Sequence, residues 1–158
     1  MTTFHTKNLN ESSFLVTGGA GFIGSHIAEY LLKNGAKKVR VLDNLVNGFT
    51  SNLAILNQYS NFEFTEGDIR NANTCLQVCA GMDYISHQAA LGSVPRSIKE
   101  PVYFNDVNVG GFVNMLKAAV DNKSILAVFP TGGGKSITFQ VPALMAGKSA
   151  KGLTVVIS

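Results

Sequence analysis

The stretch Thr17-Gly18-Gly19-Ala20-Gly21-Phe22-Ile23-Gly24 decides how the front of this chain folds. An apolar run at residues 14–17 leads into it, and apolar residues at helical spacing follow it. Glycines that recur every three residues between a strand and a helix let a phosphate approach the bare backbone. Gly18 is expected to make the tight turn, Gly21 to admit the phosphate to the helix amides, and Gly24 to let the helix pack on the sheet. The stretch therefore predicts a dinucleotide-binding loop.

An acidic residue ends the second predicted strand. Residues 39–42 form the second predicted strand, and Asp43 follows it, nineteen residues beyond Gly24. A carboxylate at this point can accept hydrogen bonds from both ribose hydroxyls, and it repels the extra phosphate of NADP. No arginine directly follows Asp43, so the pattern favours NAD. The alternative is a glycine turn with an unrelated loop aspartate.

Short apolar runs alternate with amphipathic helices along the rest of the chain. This order is typical of an α/β fold with a doubly wound parallel sheet, so the sequence predicts a Rossmann-type NAD-binding fold in truncated form. A length of 158 residues favours one compact domain. Further strands are predicted at residues 62–65, 84–86, 125–129 and 153–157.

The helices are predicted from apolar periodicity and from their caps. Gly35 ends the first helix, a short helix is expected at residues 53–56, and Asn71 could cap the helix that carries Leu76 and Val78. Pro101 suits the first turn of the last predicted helix, because its ring is compatible with that position. In the first helix, the apolar residues that recur at helical spacing are Ile23, Ile27, Tyr30 and Leu31. The helix after Pro101 is predicted to bury Val109, Phe112, Val113, Leu116, Ala119 and Val120.

Composition excludes several classes of protein. Hydrophobic residues make up 46% of the chain, charged residues 15%, and the net charge is +3, so nucleic-acid binding is not implied by charge. The longest apolar runs are shorter than the roughly 18 residues that a membrane helix needs. A soluble, cytoplasmic protein is therefore expected. Cys75 and Cys79 lie four residues apart on a predicted helix and are expected to be reduced.

Beyond the glycine stretch, a series of short motifs runs through residues 13–121. They are Val41-Leu42-Asp43-Asn44, Gly67-Asp68-Ile69-Arg70, His87-Gln88-Ala89-Ala90, Ser93-Val94-Pro95-Arg96-Ser97, and Asn108 with Gly111 and Asn114 behind it. In this order and spacing they resemble the extended short-chain dehydrogenases. Within that family they are most similar to the NAD-dependent nucleotide-sugar 4-epimerases that act on UDP-glucose or UDP-N-acetylglucosamine.

The resemblance implies NAD as cofactor, a UDP-sugar as substrate, and a homodimer built on helices that the chain contains. Each implied residue also has an ordinary alternative: Asp68 as a cap of the next turn, His87 as a satisfied strand-end histidine, and Arg96 as a solvated loop charge. The implied cofactor contacts are Gly18, Gly21, Phe22, Ile23, Gly24, Asp43, Asn44, Asn47, Gly48, Asp68, Ile69, Gln88, Ala89, Ala90 and Asn108, and the implied substrate contacts are Ser93 and Arg96.

The chain departs from the family pattern after residue 121. There the family places a tyrosine with a lysine four residues later, and this tyrosine exchanges a proton with the sugar during hydride transfer to NAD. The four tyrosines of the chain, Tyr30, Tyr59, Tyr84 and Tyr103, have no lysine at that spacing. The family's C-terminal substrate-binding part is also missing. NAD binding without turnover is therefore expected.

A second glycine loop follows the predicted strand at residues 125–129. The stretch Phe129-Pro130-Thr131-Gly132-Gly133-Gly134-Lys135-Ser136 resembles motif I of the RecQ-type DNA helicases, and the resemblance covers residues 124–158. It implies ATP held at Thr131, Gly132, Gly134 and Lys135, with magnesium on the Ser136 hydroxyl. No acidic motif follows to hold the metal, so ATP hydrolysis and unwinding are not expected. The alternative is a glycine loop that binds no nucleotide.

The two resemblances meet near Lys123. They predict an epimerase-like part at residues 1–122 and a helicase-like part at residues 123–158. The second part also supplies the segments that a six-stranded dinucleotide fold needs as its fifth and sixth strands, so residues 125–129 are predicted to pair beside residues 84–86. The leading function is an NAD-binding module of a nucleotide-sugar epimerase or dehydratase. The alternatives are an ATP-binding helicase fragment and a partly unfolded chain that binds neither nucleotide.

Overall fold

A computed structural model of the chain describes residues 8–128. Within them lie five strands: β1 (Ser13–Thr17), β2 (Lys38–Asp43), β3 (Phe62–Glu66), β4 (Tyr84–His87) and β5 (Ile125–Val128). All neighbouring pairs are parallel, and the strands are ordered β3-β2-β1-β4-β5. The order reverses beside β1, which is the switch point of a doubly wound sheet. The predicted fold class is confirmed.

The strand β5 lies at one edge of the sheet and pairs with β4. Tyr84 is opposite Ile125, and His87 is opposite Val128. This register confirms the prediction that the segment after Lys123 lies beside the fourth strand. The strand predicted at residues 153–157 lies outside the described residues.

The helices lie between the strands along the chain. They are α1 (Phe22–Lys33), α2 (Ala72–Cys79), α3 (Val94–Lys99), α4 (Pro101–Asn105) and α5 (Phe112–Asp121), with a π-helical segment at Asp106–Gly111 and 3₁₀ turns at Thr50–Leu53 and Leu56–Gln58. The helix predicted at residues 53–56 is thus replaced by the two 3₁₀ turns. The predicted cap of α2 is confirmed, because the Asn71 side chain accepts a hydrogen bond from the Thr74 N–H at 3.1 Å. Across residues 8–128, no helix is long and apolar enough to cross a membrane.

The sheet is covered on both faces, and its central strand contributes to both. Leu15 belongs to a buried cluster with residues of α2 and α5, whereas Val16 belongs to the cluster beneath α1. Successive residues of a strand point to opposite faces, so both side chains of this pair can be fully buried. The burial of β1 on two sides fixes the position of its carboxyl end, and with it the glycine stretch.

The buried face of the helix after Pro101 differs from the predicted one. Val109, Val113 and Val120 are 54%, 53% and 50% exposed instead of buried. The physical reason is the π-helical segment, whose wider turns take up an extra residue and rotate the following side chains about the axis. The residues buried along this helix are Phe104, Val107, Gly111, Met115, Ala118 and Ala119, with Phe112 and Leu116 partly buried.

Part of the apolar set named for the first helix faces the core: Leu31 is buried, and Ile27 packs against the same cluster. Ile23, the first apolar residue at helical spacing, is 51% exposed. Since α1 starts directly above the glycine turn, its contact stripe begins with the small residues that allow a close approach. The buried residues of α1 are Gly24, Ser25, Ala28, Leu31 and Leu32.

The two cysteines of α2 confirm the prediction of unpaired helix cysteines. Cys75 and Cys79 are free and buried. Burial raises the pKa of the Cys75 thiol to about 11 and that of the Cys79 thiol to about 12. Both thiols therefore stay protonated at neutral pH, and they serve as small apolar core residues.

The turn between α5 and β5 is bonded to the rest of the fold. The buried Ser124 hydroxyl donates to the Met82 carbonyl at 2.7 Å, and the Ser124 N–H donates to the Ala119 carbonyl at 2.9 Å. The Asn122 side chain donates to the Ala118 carbonyl at 2.9 Å. The chain is thus continuous with the preceding fold through this turn, while the division into residues 1–122 and 123–158 stays a prediction.

Replacing Ser124 by alanine is expected to lower the free energy of unfolding by about 1–3 kcal/mol, because the buried Met82 carbonyl would lose its donor. Urea denaturation followed by circular dichroism measures this change. The control is Ser51→Ala in an exposed 3₁₀ turn, which should shift stability by less than about 0.5 kcal/mol. Unchanged stability of Ser124→Ala would show that the turn is not part of the cooperative fold.

Candidate dinucleotide-binding site

The glycine turn after β1 has the geometry that its sequence predicts. Gly18 adopts a φ of +67°, and a Cβ on it would lie 2.7 Å from the Ala89 nitrogen. Only glycine can combine this backbone conformation with so close an approach. Gly21 is the N-cap of α1 and has no side chain to cap the helix, so the first-turn amides of α1 have no side-chain cap.

The close packing expected of Gly24 occurs against the turn itself, and another glycine packs on the sheet. A Cβ on Gly24 would overlap the Gly18 carbonyl oxygen and lie 2.7 Å from the Gly19 Cα. A Cβ on Gly19 would lie 2.5 Å from a side-chain carbon of Val41 in β2. The role predicted for Gly24 is therefore divided: Gly24 lets the helix sit on the turn, and Gly19 lets the turn sit on the sheet.

The Asp43 carboxylate joins two loops. It is 8% exposed, and its Oδ2 accepts from the Ala20 N–H at 2.9 Å while its Oδ1 accepts from the Leu45 N–H at 2.8 Å. Each carboxylate oxygen offers about two acceptor positions, so each can accept one further bond from a ligand. An asparagine could not replace it, because the amide nitrogen would face one of the two backbone donors.

The loop after β2 folds back over the glycine stretch. The Ala20 carbonyl accepts from the Phe49 N–H at 3.0 Å and from the Asn52 side chain at 2.8 Å. Gly48 makes this approach possible, since a Cβ there would lie 2.8 Å from Asp43 Oδ1. The sequence pattern does not indicate the roles of Ala20 and Asn52, because the motif defines the glycines and the acid but not the residues that hydrogen-bond the two loops together.

Asp68 lies behind this loop and holds Asn44. Its carboxylate accepts from the Asn44 side chain at 2.9 Å and forms an ion pair with Arg70 at 2.8 Å. The hydrogen bond from the Arg70 side chain lowers the pKa of Asp68 to about 2. Asp68 also accepts from the Arg70 N–H at 2.8 Å. Its carboxylate therefore caps the next turn, as the alternative interpretation predicts, and at the same time binds the cleft residue Asn44.

A buried polar link connects the ends of β1 and β4. The Thr17 hydroxyl accepts from the amides of Gln88 and Ala89, each at 3.2 Å, and lies 2.8 Å from His87 Nδ1. Burial lowers the pKa of His87 to about 4, so the ring is neutral at neutral pH. Since Thr17 already accepts two amides, its proton goes to Nδ1, and His87 carries its own proton on Nε2. His87 is thus the satisfied strand-end histidine of the alternative interpretation.

Asn108 is committed to the backbone of Leu91. Its Oδ1 accepts from the Leu91 N–H at 2.8 Å, and its Nδ2 donates to the Leu91 carbonyl at 3.0 Å. The π-helical segment that contains Asn108 also places Val107 in the wall of the cleft. In this structure Asn108 therefore fixes the segment after β4 instead of facing a ligand directly.

These elements enclose a cleft at the carboxyl edge of the sheet. Five predicted cofactor residues do not line it: the Phe22 and Ile23 side chains are exposed, Gly24 is buried, and Asp68 and Asn108 act through neighbours. The lining residues are Gly18, Gly21, Leu42, Asp43, Asn44, Val46, Asn47, Gly48, Gly67, Ile69, Gln88, Ala89, Ala90, Leu91 and Val107. Ten of the fifteen lining residues belong to the predicted cofactor set, so the structure brings most of that set together.

The two predicted substrate residues lie on α3 and outside this lining. Ser93 is the N-cap of α3, with its side chain accepting from the Arg96 N–H at 3.4 Å. The Arg96 guanidinium pairs with Glu100 at 3.3 Å and lies 5.5 Å from the centre of the Tyr103 ring. The predicted ATP and magnesium residues Thr131, Gly132, Gly134, Lys135 and Ser136 fall outside the described residues.

Gly24→Ala is expected to lower the free energy of unfolding by about 3 kcal/mol or more, because the new methyl group would meet backbone that cannot move aside. Gly110→Ala is the matched control, since a Cβ there meets open space in a helical segment. It should leave stability unchanged or raise it by up to about 1 kcal/mol. Urea denaturation of both variants measures the difference, and equal stabilities would contradict the packing described.

The depressed pKa of His87 predicts a pH-dependent stability. The unfolded chain binds a proton near pH 6.5 but the folded chain only near pH 4, so stability is full above pH 6.5 and falls as the pH drops toward 4. His87→Asn keeps an acceptor for the Thr17 hydroxyl but does not titrate. The stability of this variant should therefore change less between pH 6.5 and pH 4 than that of the unaltered chain. Urea unfolding midpoints of the unaltered chain and of His87→Asn, measured from pH 7.5 to 4.5, test this expectation. A parallel decline of the two midpoints would show that His87 is not the titrating group.

Comparison with known proteins agrees with this geometry. The model of a family described as NAD dependent epimerase/dehydratase matches residues 14–132. The putative UDP-glucose 4-epimerase of Methanocaldococcus jannaschii is 37% identical over 121 residues, which cover 76% of this chain and 38% of that protein. The chain therefore spans well under half the length of this relative.

Solved structures show the same fold. The dTDP-glucose 4,6-dehydratase DesIV of Streptomyces venezuelae, with NAD and TYD bound, matches with a TM-score of 0.68 at 40% identity, over 72% of this chain and 38% of that one. The UDP-glucose 4-epimerase of Thermotoga maritima, with UDP-glucose, matches with a TM-score of 0.69 at 34% identity, over 77% of this chain and 38% of that one. Because the family model covers most of the chain and its glycine turn, Asp43 and sheet order agree with the structure, this chain belongs to the NAD-dependent epimerase/dehydratase family.

Proposed function

We propose that this chain forms the NAD-binding module of a nucleotide-sugar epimerase or dehydratase, without turnover of its own. The observation that carries the proposal is that Gly18, Gly21 and Asp43 line one cleft beside the switch point of the sheet. Open α/β sheets bind their ligands at this position, outside the carboxyl ends of the strands. The related dehydratase DesIV has NAD bound.

The pyrophosphate of NAD would lie at the start of α1. Its amides at Phe22, Ile23 and Gly24 belong to the first helical turn, where backbone N–H groups have no intrahelical partner. The helix dipole favours negative charge at this end. Gly18 and Gly21 have no side chain and line the cleft on the approach to these amides, which supports a phosphate at this position.

The adenosine end would lie against the loop after β2. Asp43 would accept from the ribose hydroxyls with Asn44, Asn47 and Gly48 beside it, and Asp68 and Ile69 would lie on the adenine side. Asn44 is held in place by Asp68. A phosphate on the 2′-hydroxyl would meet the Asp43 carboxylate, so NAD is preferred over NADP.

The nicotinamide end would lie along Gln88, Ala89 and Ala90. NAD supplies a hydride acceptor and donor there when it is bound. The chain positions this wall through Thr17, which accepts from the amides of Gln88 and Ala89. It contains no tyrosine with a lysine four residues later, so no residue is assigned to exchange a proton with a sugar, and no catalytic residue is proposed.

A UDP-sugar is the proposed partner, with Ser93 and Arg96 on α3 as its contacts. The Thermotoga maritima relative is a UDP-glucose 4-epimerase with UDP-glucose. Arg96 would have to leave Glu100 to reach a diphosphate, and a guanidinium favours such a ligand. The homodimer and the cytoplasmic location stay predictions; the half-exposed valines Val109, Val113 and Val120 offer an apolar face for the dimer.

The ATP-binding alternative has no support from the comparisons. The epimerase/dehydratase family model extends to residue 132, past the point near Lys123 where the helicase resemblance begins. In addition, β5 takes its place in the same sheet as the strands before it. ATP and magnesium binding at the second glycine loop is therefore not part of the proposed function.

Calorimetric titration with NAD tests the proposal, and micromolar binding is expected. Asp43→Ala should weaken the binding by about tenfold or more, because it removes a charged acceptor from the ribose. NADP should bind more weakly than NAD to the unaltered chain. No heat with NAD at several temperatures would contradict the proposal.

The matched control for Asp43→Ala is Asp83→Ala at the opposite end of the sheet. Asp83 also accepts from a backbone amide, that of Ser13, at 2.8 Å. Its removal should cost stability in a similar way and leave NAD affinity unchanged. Equal loss of NAD affinity in both variants would show that Asp43 acts only through the stability of the fold.

A further inference from the structure

Leu45 has an unusual backbone conformation for its residue type. Its φ is +58°, and within residues 8–128 the other non-glycine residue with a positive φ is Lys123. Leucine rarely adopts this left-handed region, because its Cβ crowds the following carbonyl, at a cost of about 1–2 kcal/mol. Such strain persists only where the surroundings impose it, and it is frequent at functional sites.

The Leu45 side chain does not face the cleft, although both of its neighbours in the chain do. Asn44 and Val46 line the cleft, whereas Leu45 does not, and its partly buried side chain packs against the apolar cluster beneath α1. The Leu45 N–H donates to Asp43 Oδ1 at 2.8 Å. The left-handed turn thus directs one side chain into the core and one backbone donor toward the carboxylate.

The second oxygen of Asp43 is held from the other side. The Ala20 N–H of the glycine turn donates to Oδ2 at 2.9 Å. Two amides from two loops therefore fix both the position of the Asp43 carboxylate and the orientation of its plane. A carboxylate held at only one oxygen could rotate about its last bond, and its remaining acceptor positions would no longer be fixed in the cleft.

We propose that Leu45 is a positioning residue: its left-handed φ lets its N–H stay bonded to Asp43 while its side chain stays in the apolar core, and this held bond orients the carboxylate for a vicinal diol such as an adenosine ribose. The nature of this ligand rests on the proposed function. The positioning of Asp43 rests on the backbone geometry alone, so it can be tested without any ligand.

The competing explanation is that Leu45 matters only as an apolar side chain of the core. Substitutions can separate the two roles, because some keep the backbone conformation and remove the apolar contact, whereas others do the reverse. Leu45→Asn and Leu45→Gly tolerate a positive φ but remove the apolar contact. Leu45→Val keeps an apolar side chain but disfavours a positive φ through its branched Cβ.

Hydrogen exchange of the ligand-free chain tests the positioning. The reporter is the Ala20 amide, which is protected by Asp43, and the reference is the Ser13 amide, which is protected by Asp83 in the same kind of bond. The ratio of the two exchange rates removes any change in global stability. Leu45→Val should raise this ratio by about tenfold, whereas Leu45→Asn and Leu45→Gly should keep it within about twofold.

A titration with NAD and with NAD that lacks the adenosine 2′-hydroxyl tests the consequence for binding. The unaltered chain should prefer the complete cofactor, and Leu45→Val should reduce this preference. Leu45→Val should add no further loss in the Asp43→Ala background, because its effect passes through Asp43.

The outcomes distinguish the two proposals. Absence of NAD binding to the unaltered chain contradicts the proposed function, and the exchange ratio still decides the role of Leu45. An exchange ratio that is unchanged in Leu45→Val, or that rises only in Leu45→Asn and Leu45→Gly, overturns the positioning role and assigns Leu45 to the core.

Discussion

The Asp43 carboxylate bonds the glycine turn to the loop after β2, and the cleft between them depends on this pair of bonds. Asp43 ends β2, Ala20 lies in the turn after β1, and the register of the two strands brings them to the same edge of the sheet. The bonds to a charged acceptor are short, at 2.9 and 2.8 Å, and such bonds are about twice as strong as neutral ones. One charged side chain thus shapes the site before any ligand binds.

The opposite wall of the cleft is organised by neutral groups. The segment after β4 is held by hydrogen bonds from its backbone: Gln88 and Ala89 donate to the Thr17 hydroxyl, and Leu91 bonds with the Asn108 side chain. Every polar atom of this network that is buried has a partner, since no buried side-chain nitrogen or oxygen in the described part lacks one. A fully satisfied buried network fixes one arrangement of the backbone, so a wall that contributes mainly backbone and small side chains can still have a defined shape.

Much of the fold follows from the sequence because its signals are local. The glycine turn, the acid at the end of β2 and the Asn71 cap each depend on a few adjacent residues, and the structure agrees with them. The buried face of the helix after Pro101 was harder to predict. Apolar periodicity assumes a regular helix, and the π-helical segment at Asp106–Gly111 breaks that assumption.

The site residues that the sequence did not reveal act through contacts with distant parts of the chain. Asn108 matches a family motif, but its partner Leu91 is known only from the structure. Leu45 carries no signal at all, because a leucine is expected to avoid the backbone conformation that it adopts. The packing of Gly19 on Val41 likewise depends on how two strands meet and not on the spacing of glycines.

The central position of β1 has a consequence for the order in which the chain folds. Its neighbours on one side, β2 and β3, follow it closely in sequence, whereas its bond to His87 on the other side closes a loop of 70 residues. Contacts between distant segments form late, because the entropy of closing the loop is lost before the contact stabilises it. During synthesis, β1, β2 and the glycine turn can therefore assemble while β4 is still in the ribosome. The half-cleft that results exposes the unpaired backbone edge of β1, which stays open to pairing with another chain until β4 arrives.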